Sequence, residues 1–179
     1  MKIVFNPCPK NVSGPDLKNI DDFVNGNKGF DDVIDDYAKM YADKVMSNKR
    51  WRWKDFPGAE NLDDIQIAAI RDRAKSLGLI PIVNMKPGTN SPDFESAKQI
   101  YEINGKPVIE YLPESKWGLG DTAQFNYLDS QLPGGVRPSG YTWHHSDIPG
   151  RFELVPYGIH NSIWHIGGAG PDGWSTGRR

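Results

Sequence analysis

All four histidines of this 179-residue chain lie in one short segment near its C-terminus. The segment spans residues 140–168, reads GYTWHHSDIPGRFELVPYGIHNSIWHIGG, and contains His144, His145, His160 and His165. Imidazole serves as a ligand for transition metals and as a general base near neutral pH, and clustering favours both uses. We therefore expect the segment to fold so that its imidazoles meet.

The same segment predicts two strands followed by a short helix. GYTWHH and RFELVP are β-prone runs separated by the turn sequence SDIPG, and YGIHNSIWHI favours a helix that ends at the glycine pair 167–168. Neighbouring strand residues point to opposite sides, so His144 and His145 are expected to differ in role, one holding a metal and the other facing a substrate. Residues five apart on a helix are rotated by about 140°, so His160 and His165 share a face only if the helix ends early.

Three helices and a hairpin are predicted before this segment. Residues 1–27 lack periodicity and are rich in Asn, Asp, Gly and Pro, which predicts a loosely ordered arm. Helical spacing of apolar residues predicts a helix in GFDDVIDDYAKMYADKVMSNK and another in NLDDIQIAAIRDRAKSLGLIP, with Asn61 as N-cap. The pair Asn104-Gly105 predicts a tight hairpin, and GDTAQFNYLDSQL predicts a helix with Asp121 and Gln124 in capping-box spacing. The inward faces of the three helices are expected to carry Phe30, Val33, Ile34, Tyr37, Met40, Tyr41 and Val45; Ile65, Ala68, Ala69 and Leu77; and Phe125, Leu128 and Leu132.

Composition and charge limit the classes of function. Hydrophobic residues make up 37% of the chain and charged residues 25%, which suits a soluble globular protein with a modest core. No apolar run approaches the ~20 residues that span a bilayer, and the first ten residues, MKIVFNPCPK, lack the apolar core of a signal peptide. Because Cys8 is the single cysteine, an intrachain disulfide is excluded. With a net charge of −2, any surface that binds phosphate is expected to be local.

The histidine segment resembles the HNH and endonuclease VII superfamily of nucleases, and in particular its toxin-associated branch named for a Trp-His-His motif. The motif is Trp143-His144-His145 here, followed by the run 154–156 (LVP), His160, His165 and the glycine pair 167–168. DFPGAENL, IRDRAKSLGLIP and YLPE upstream are similar in order to bacterial polymorphic-toxin nuclease domains. The resemblance implies a nuclease domain over residues 51–179, after an N-terminal arm and helix in residues 1–50. The implied fold is α+β, with a helical N-terminal part, a β-hairpin and a C-terminal ββα-metal (His-Me finger) nuclease core.

The resemblance also implies roles for individual residues. His144, His160 and His165 would be metal ligands, and His145 would be the general base that takes a proton from the attacking water. The implied reaction is metal-assisted hydrolysis of a phosphodiester. Three neutral imidazoles favour Zn, Ni, Co or Cu by affinity, and the single divalent ion used in cells is expected to be Zn, Ni, Mg or Mn. Arg151 is a candidate phosphate clamp through its bidentate guanidinium, or equally a solvated turn residue.

Taken with the resemblance, these features predict a metal-dependent DNA endonuclease, non-specific in sequence and released as an antibacterial toxin domain. Such a domain would be secreted or delivered on a larger protein, would act in the cytoplasm of a target cell, and would be neutralised by a cognate immunity protein. The alternatives are a ribonuclease with the same base and metal, and a non-catalytic binding module with a structural His-zinc site. Trp143 and Trp164 are expected to pack around the site, and WRWKDF to form a structural cap between helices.

Overall fold

The computed structural model describes residues 13–170 and 173–177. The chain forms two compact units, one ending at Pro81 and the other beginning at Ile82. The proposed start of a nuclease domain at residue 51 stays a prediction, and residues 1–12 of the predicted arm lie outside the described residues. None of the described helices is both long enough and apolar enough to cross a bilayer.

Part of the predicted arm is a helix. Helix α1 spans Leu17–Val24 and begins after Asp16, whose carboxylate accepts hydrogen bonds from the backbone amides of Lys18 and Asn19. The aspartates and asparagines that suggested an irregular arm therefore include the N-cap of a helix. The buried face of this helix carries Ile20. A helix of eight residues is too short to give a clear period of apolar residues in the sequence.

Helix α2, Ile34–Met46, buries the face that the sequence predicts. Val33, just before it, and Tyr37, Tyr41 and Val45 are buried. The WRWKDF stretch packs on this helix, because the rings of Trp51 and Trp53 contact Tyr41 at centroid distances of 5.6 and 5.5 Å. The stretch thus packs as expected of a structural cap.

Helix α3, Asp64–Ser76, packs against α2 with a different face from the one predicted. Its N-cap is Asp63, which accepts from the amide of Gln66, and not Asn61. The buried residues are Ile70 and Ala74, whereas the predicted inward residues Ile65 and Leu77 are exposed. The prediction was wrong because apolar residues occur on several sides of this helix, so their spacing does not select a face.

The second unit contains the predicted hairpin and a three-stranded sheet. Strands β1, Glu102–Ile103, and β2, Lys106–Pro107, pair antiparallel, and Asn104 and Gly105 between them both have positive φ, as a type I′ turn requires. Strands β3, Ile109–Tyr111, β4, Tyr141–His145, and β5, Arg151–Pro156, form an antiparallel sheet in the order β3-β5-β4. Helices α4, Asp121–Gln131, and α5, Tyr157–Ser162, complete the unit. The strand-turn-strand-helix pattern of the histidine segment is thereby confirmed.

A hydrophobic core fixes the β4–β5 hairpin. Trp143 is buried, as predicted, and its indole Nε1 donates to the Asp129 carboxylate of α4 at 2.8 Å. Burial of a large apolar side chain is worth roughly 1.5–3 kcal/mol, so this cluster holds the strand that carries His144 and His145 in register. The buried members of the cluster are Val108, Leu112, Leu128, Leu132, Trp143, Phe152 and Leu154.

Candidate metal centre

Three of the four histidines meet at one end of the β4–β5 hairpin. His144 comes from β4, His160 from α5, and His165 from the segment after α5. One ring nitrogen of each lies within 4.8 Å of the others, a spacing that suits a shared ion. Among the described residues, the group that could hold a metal consists of these three side chains. The structure therefore brings together the three residues that the sequence proposed as ligands.

His165 reaches the other two because α5 ends early. The helix stops at Ser162, so the predicted helix up to the glycine pair was wrong. The chain then turns back, and the backbone amides of Ile166 and Gly167 both donate to the carbonyl of Asn90. Gly167 has φ +56°, a left-handed conformation that glycine adopts without strain. A regular helix would place His160 and His165, five residues apart, on different faces. The reversal of the chain after Ser162 brings the two side chains together instead.

Local hydrogen bonds orient the two outer imidazoles. His165 Nδ1–H donates to the carbonyl of Ile163 at 2.9 Å, and His160 Nδ1–H donates to the side-chain oxygen of Asn161 at 3.2 Å. In each neutral ring the lone pair is then on Nε2, the atom that would bind an ion. Hydrogen bonds of this kind orient metal-binding histidines and fix their tautomers.

His144 is the innermost member of the group. Its Nε2 lies 3.4 Å from the Ser91 hydroxyl, whereas its buried Nδ1 has no hydrogen-bond partner among the described residues. Burial, then the neighbouring histidines, holds the pKa of His144 far below its ordinary value, and burial together with His165 lowers the pKa of His160 to about 4. Both rings are therefore neutral near pH 7, the form that binds metal. An orphaned buried nitrogen beside two oriented imidazoles fits a divalent transition-metal ion.

A loop from outside the histidine segment supports the group. Residues 84–94 carry Ser91, which contacts His144, and Phe94, whose buried ring meets His144 edge-on at 4.9 Å between centroids. The same ring stacks on His160 at 6.2 Å. The stretch is rich in Pro, Gly and Asn, and nothing in its sequence signals that it would support the site.

His145 lies on the opposite side of β4, as strand alternation predicts. Its ring packs against Phe125, Phe152 and Trp174, and its Nε2 is 2.9 Å from the side-chain oxygen of Gln124. The structure does not include His145 in the group of possible metal ligands. Gln124 was predicted to cap α4, but this helix begins after Gly120 without a side-chain cap, and the amide of Gln124 is buried against His145.

Arg151 is held by carboxylates and is not a solvated turn residue. Its Nη2 lies 2.8 Å from Glu95 and 3.1 Å from Glu153, which is wholly buried opposite His144 in the sheet. Lys86 reaches the same group, with its Nζ 2.8 Å from Asp147. Burial raises the pKa of the Glu153 carboxyl, although Lys86 and Arg151 act to lower it. The candidate phosphate clamp thus belongs to a charged cluster beside the histidines.

Trp164 departs from its predicted packing role. Its side chain is 79% exposed, next to the candidate ligand His165. A groove of about 520 Å³ runs beside the centre, and no Asp, Glu, Lys or Arg is among the described residues that line it. Its lining includes Trp164, His165, Ile166, Ala169, Thr176 and Gly177.

Comparison with known families agrees with this geometry. A family model described as a nuclease of the HNH/ENDO VII superfamily with conserved WHH matches residues 133–174, which contain all four histidines. No curated protein and no solved structure matches the chain. The segment 133–174, with its motif Trp143-His144-His145, is thus similar to the WHH nucleases of the HNH/endonuclease VII superfamily.

Proposed function

We propose that this protein is a metal-dependent DNA endonuclease. The observation that carries the proposal is the meeting of His144, His160 and His165 within a segment that matches a nuclease family. A structural zinc site is closed by four protein ligands, whereas catalytic sites keep a position open. A group of three histidines, found among the described residues, favours the catalytic arrangement over a purely structural one.

Each histidine has a distinct task in the proposed reaction. His144, His160 and His165 hold the divalent ion, which when bound supplies Lewis-acid stabilisation of the negative charge that develops on the phosphate. His145 accepts a proton from the attacking water, a contribution worth roughly a hundred- to ten-thousand-fold in rate. The water oxygen forms a bond to phosphorus while the bond to the 3′ oxygen breaks, and the 3′ oxygen leaves with a proton from solvent.

Two further groups beside the centre are proposed to contact the substrate. Arg151 would bind a phosphate of the substrate once Glu95, whose side chain is 57% exposed, moves away from it. Trp164 would stack on a nucleobase, since the groove that it lines has no Asp, Glu, Lys or Arg among its described lining residues and includes His165. A base is available for such stacking only where it is unpaired, so we expect cleavage to favour single-stranded or locally opened DNA.

We also propose an antibacterial toxin role. The support is the resemblance of the wider sequence to polymorphic-toxin nuclease domains. Such a domain would be delivered into the cytoplasm of a target cell, and a cognate immunity protein would protect the producer. Co-expression of candidate immunity proteins with the active chain tests this role by the survival of the host.

A cleavage assay with matched variants tests the enzyme proposal. Purified protein is incubated with plasmid DNA, single-stranded DNA or RNA and with Zn²⁺, Ni²⁺, Mg²⁺ or Mn²⁺, with and without EDTA. We expect EDTA-sensitive DNA cleavage that is lost in His145→Ala with Zn²⁺ content unchanged, and lost together with Zn²⁺ binding in His160→Ala. Preferential cleavage of RNA would instead show a ribonuclease. Metal-dependent melting without cleavage of any substrate would show a structural zinc site.

A further inference from the structure

Gln124 of α4 makes a buried hydrogen-bond network around His145. Its amide nitrogen donates to the backbone carbonyls of Lys116 at 3.3 Å and Trp117 at 3.0 Å. Its amide oxygen lies 2.9 Å from His145 Nε2, and a carboxylate oxygen of Asp121 lies 3.7 Å from the same nitrogen. The hydroxyl of Ser175 contacts both ends of the amide, at 3.1 Å from the nitrogen and 3.3 Å from the oxygen. The side chains of Gln124 and Ser175 are both buried.

The two carbonyls determine which way this amide points. If the amide were turned over, its oxygen would face two carbonyl oxygens, and neither contact could be a hydrogen bond. A buried polar group without a partner is costly, so the orientation with nitrogen toward the carbonyls is strongly preferred. The oxygen that faces His145 can only accept a hydrogen bond. His145 Nε2 must therefore carry the proton and donate it to Gln124.

We infer that Gln124 is a positioning residue, which holds His145 in the Nε2–H tautomer and so makes Nδ1 the atom that accepts the proton of the attacking water. The inference rests on the proposed role of His145 as general base. A neutral imidazole with its proton on Nε2 has its basic lone pair on Nδ1. Gln124 thereby fixes both the angle of the ring and the identity of its basic nitrogen.

The network also links the base to parts of the chain outside the nuclease-family segment. Gln124 precedes residues 133–174, and Ser175 follows them. The backbone amide of Ser175 donates to the carbonyl of Gly168, and that of Thr176 donates to the carbonyl of Trp117. Two separate stretches thus enclose the amide that orients His145.

Variants of matched size separate positioning from packing. Gln124→Leu keeps the volume but removes the acceptor, and Gln124→Met removes it with an unbranched side chain. The matched control is Gln131→Leu, which replaces an exposed glutamine on the same helix. The tautomer of His145 is read in metal-free protein by ¹⁵N–¹H correlation spectra of ¹⁵N-histidine-labelled samples, assigned with His145→Ala. The kcat and KM for single-stranded DNA and the affinity for Zn²⁺ are measured on the same variants.

Wild type and Gln131→Leu are expected to show the Nε2–H tautomer. In an Asp121→Ala background, which removes the other acceptor near Nε2, Gln124→Leu is expected to show a mixture of tautomers and a kcat lowered by tenfold or more, with KM and Zn²⁺ affinity within about twofold. An Nδ1–H tautomer in wild type, or an unchanged tautomer and kcat in Gln124→Leu in that background, overturns the inference. If Gln124→Leu does not fold, the wild-type tautomer and the tautomer and kcat of Gln124→Met, with the same expected changes, decide in its place. Full cleavage by His145→Ala would instead overturn the proposed base, whatever tautomer is found.

Discussion

Arg151 and Glu95 form an ion pair beside the candidate centre. The guanidinium of Arg151 lies between a buried carboxylate, Glu153, and a largely exposed one, Glu95. Only the exposed partner can move away without breaking the packing of the sheet. A substrate phosphate would therefore compete with Glu95 for the same nitrogen atoms.

Replacing Glu95 should strengthen substrate binding. Glu95→Gln removes the competing charge, and because exposed ion pairs contribute up to about 1 kcal/mol, the KM for DNA is expected to fall by up to roughly fivefold. Steady-state cleavage assays measure this change. The control is Glu114→Gln, which replaces an exposed acid on another turn. A KM that rises in Glu95→Gln would show that Glu95 positions Arg151 for the reaction instead of blocking it.

Trp164 should contribute to binding and not to stability. Stacking of one base on an aromatic side chain is worth about 1–3 kcal/mol, so Trp164→Ala is expected to raise the KM for single-stranded DNA by roughly five- to 150-fold. Trp164→Phe retains a ring and should keep most of the affinity. Thermal melting and Zn²⁺ affinity are expected to change little, because the indole is largely exposed. An unchanged KM in Trp164→Ala would remove the stacking proposal.

Among individual site residues, the sequence predicted the histidines, whose chemistry is distinctive, and missed Gln124, whose chemistry is not. Imidazoles are few and specialised, so the clustering of His144, His160 and His165 could be expected. Gln124 has no such signature, since its three-residue spacing from Asp121 also suits a capping box. Its contact with His145 depends on how α4 packs on the sheet, which no local pattern encodes.

The reversal after α5 is the element on which the candidate centre depends. Gly167 adopts φ +56°, and a Cβ at this position would collide with the backbone carbonyl of His145. Gly167→Ala is therefore expected to displace the segment that carries His165. Changes to groups that position metal ligands typically weaken metal binding by roughly 10- to 100-fold.

Zn²⁺ titration of Gly167→Ala measures this loss, with Gly135→Ala as the matched control. Gly135 also has a positive φ, of 70°, but a Cβ there meets nothing within 4 Å. The control carries the same kind of backbone strain without the collision, and it should bind Zn²⁺ as wild type does. Equal affinities in the two variants would show that the position of His165 does not depend on Gly167.

Helices α2 and α3 are joined by an ion pair that predicts a pH dependence. Arg73 contacts both carboxylate oxygens of Asp35, at 2.6 and 3.1 Å, and this hydrogen bond lowers the pKa of Asp35 below its ordinary value of 3.8. A lowered folded-state pKa stabilises the fold at pH above about 3.8, and the contribution is lost as the pH falls through the folded-state pKa.

Arg73→Met should therefore be less stable than wild type at neutral pH, and the difference should disappear in strong acid. Urea denaturation over a pH series measures the free energy of unfolding of both proteins. The control is Lys75→Met, because Asp72, the partner of Lys75, is more exposed than Asp35. The pair is partly exposed, so its effect at neutral pH is expected to be small. A difference that persists at the lowest pH would mean that Arg73 acts through packing and not through Asp35.

Elements were predicted well where one signal dominates and poorly where signals conflict. The Asn104-Gly105 turn and the strand-turn-strand-helix order follow from local chemistry and are confirmed. The end of α5 was misplaced, because the sequence after Ser162 remains helix-compatible while tertiary bonds to Asn90 turn it back. Tertiary contacts of this kind override weak propensities.

Residues that surround the histidines come from outside the segment 133–174 as well as from within it. The loop with Ser91 and Phe94 supports His144 and His160, α4 supplies Gln124, and the C-terminal stretch supplies Ser175. All of these parts lie in the unit that begins at Ile82. The segment 133–174 provides the imidazoles, and its neighbours in sequence set their environment.

The charge of the whole chain predicts how salt affects substrate binding. A net charge of −2 gives no sign of a broad basic surface, and among the described residues Lys86 and Arg151 lie beside the histidines. Each phosphate contact contributes about −0.9 to the slope of log K against log salt for duplex DNA, and about −0.7 for single strands. Two contacts therefore predict a shallow slope, between about −1 and −2.

Fluorescence anisotropy with a labelled single-stranded oligonucleotide, read at several KCl concentrations, measures this slope. The measurement is made on His145→Ala, so that the strand stays intact. Adding Arg151→Gln should make the slope shallower by roughly 0.7, because one phosphate contact is lost, whereas adding Arg71→Gln in the first unit should leave it unchanged. A slope steeper than about −4 would contradict local binding, because so many released counterions require a basic surface that Lys86 and Arg151 cannot provide.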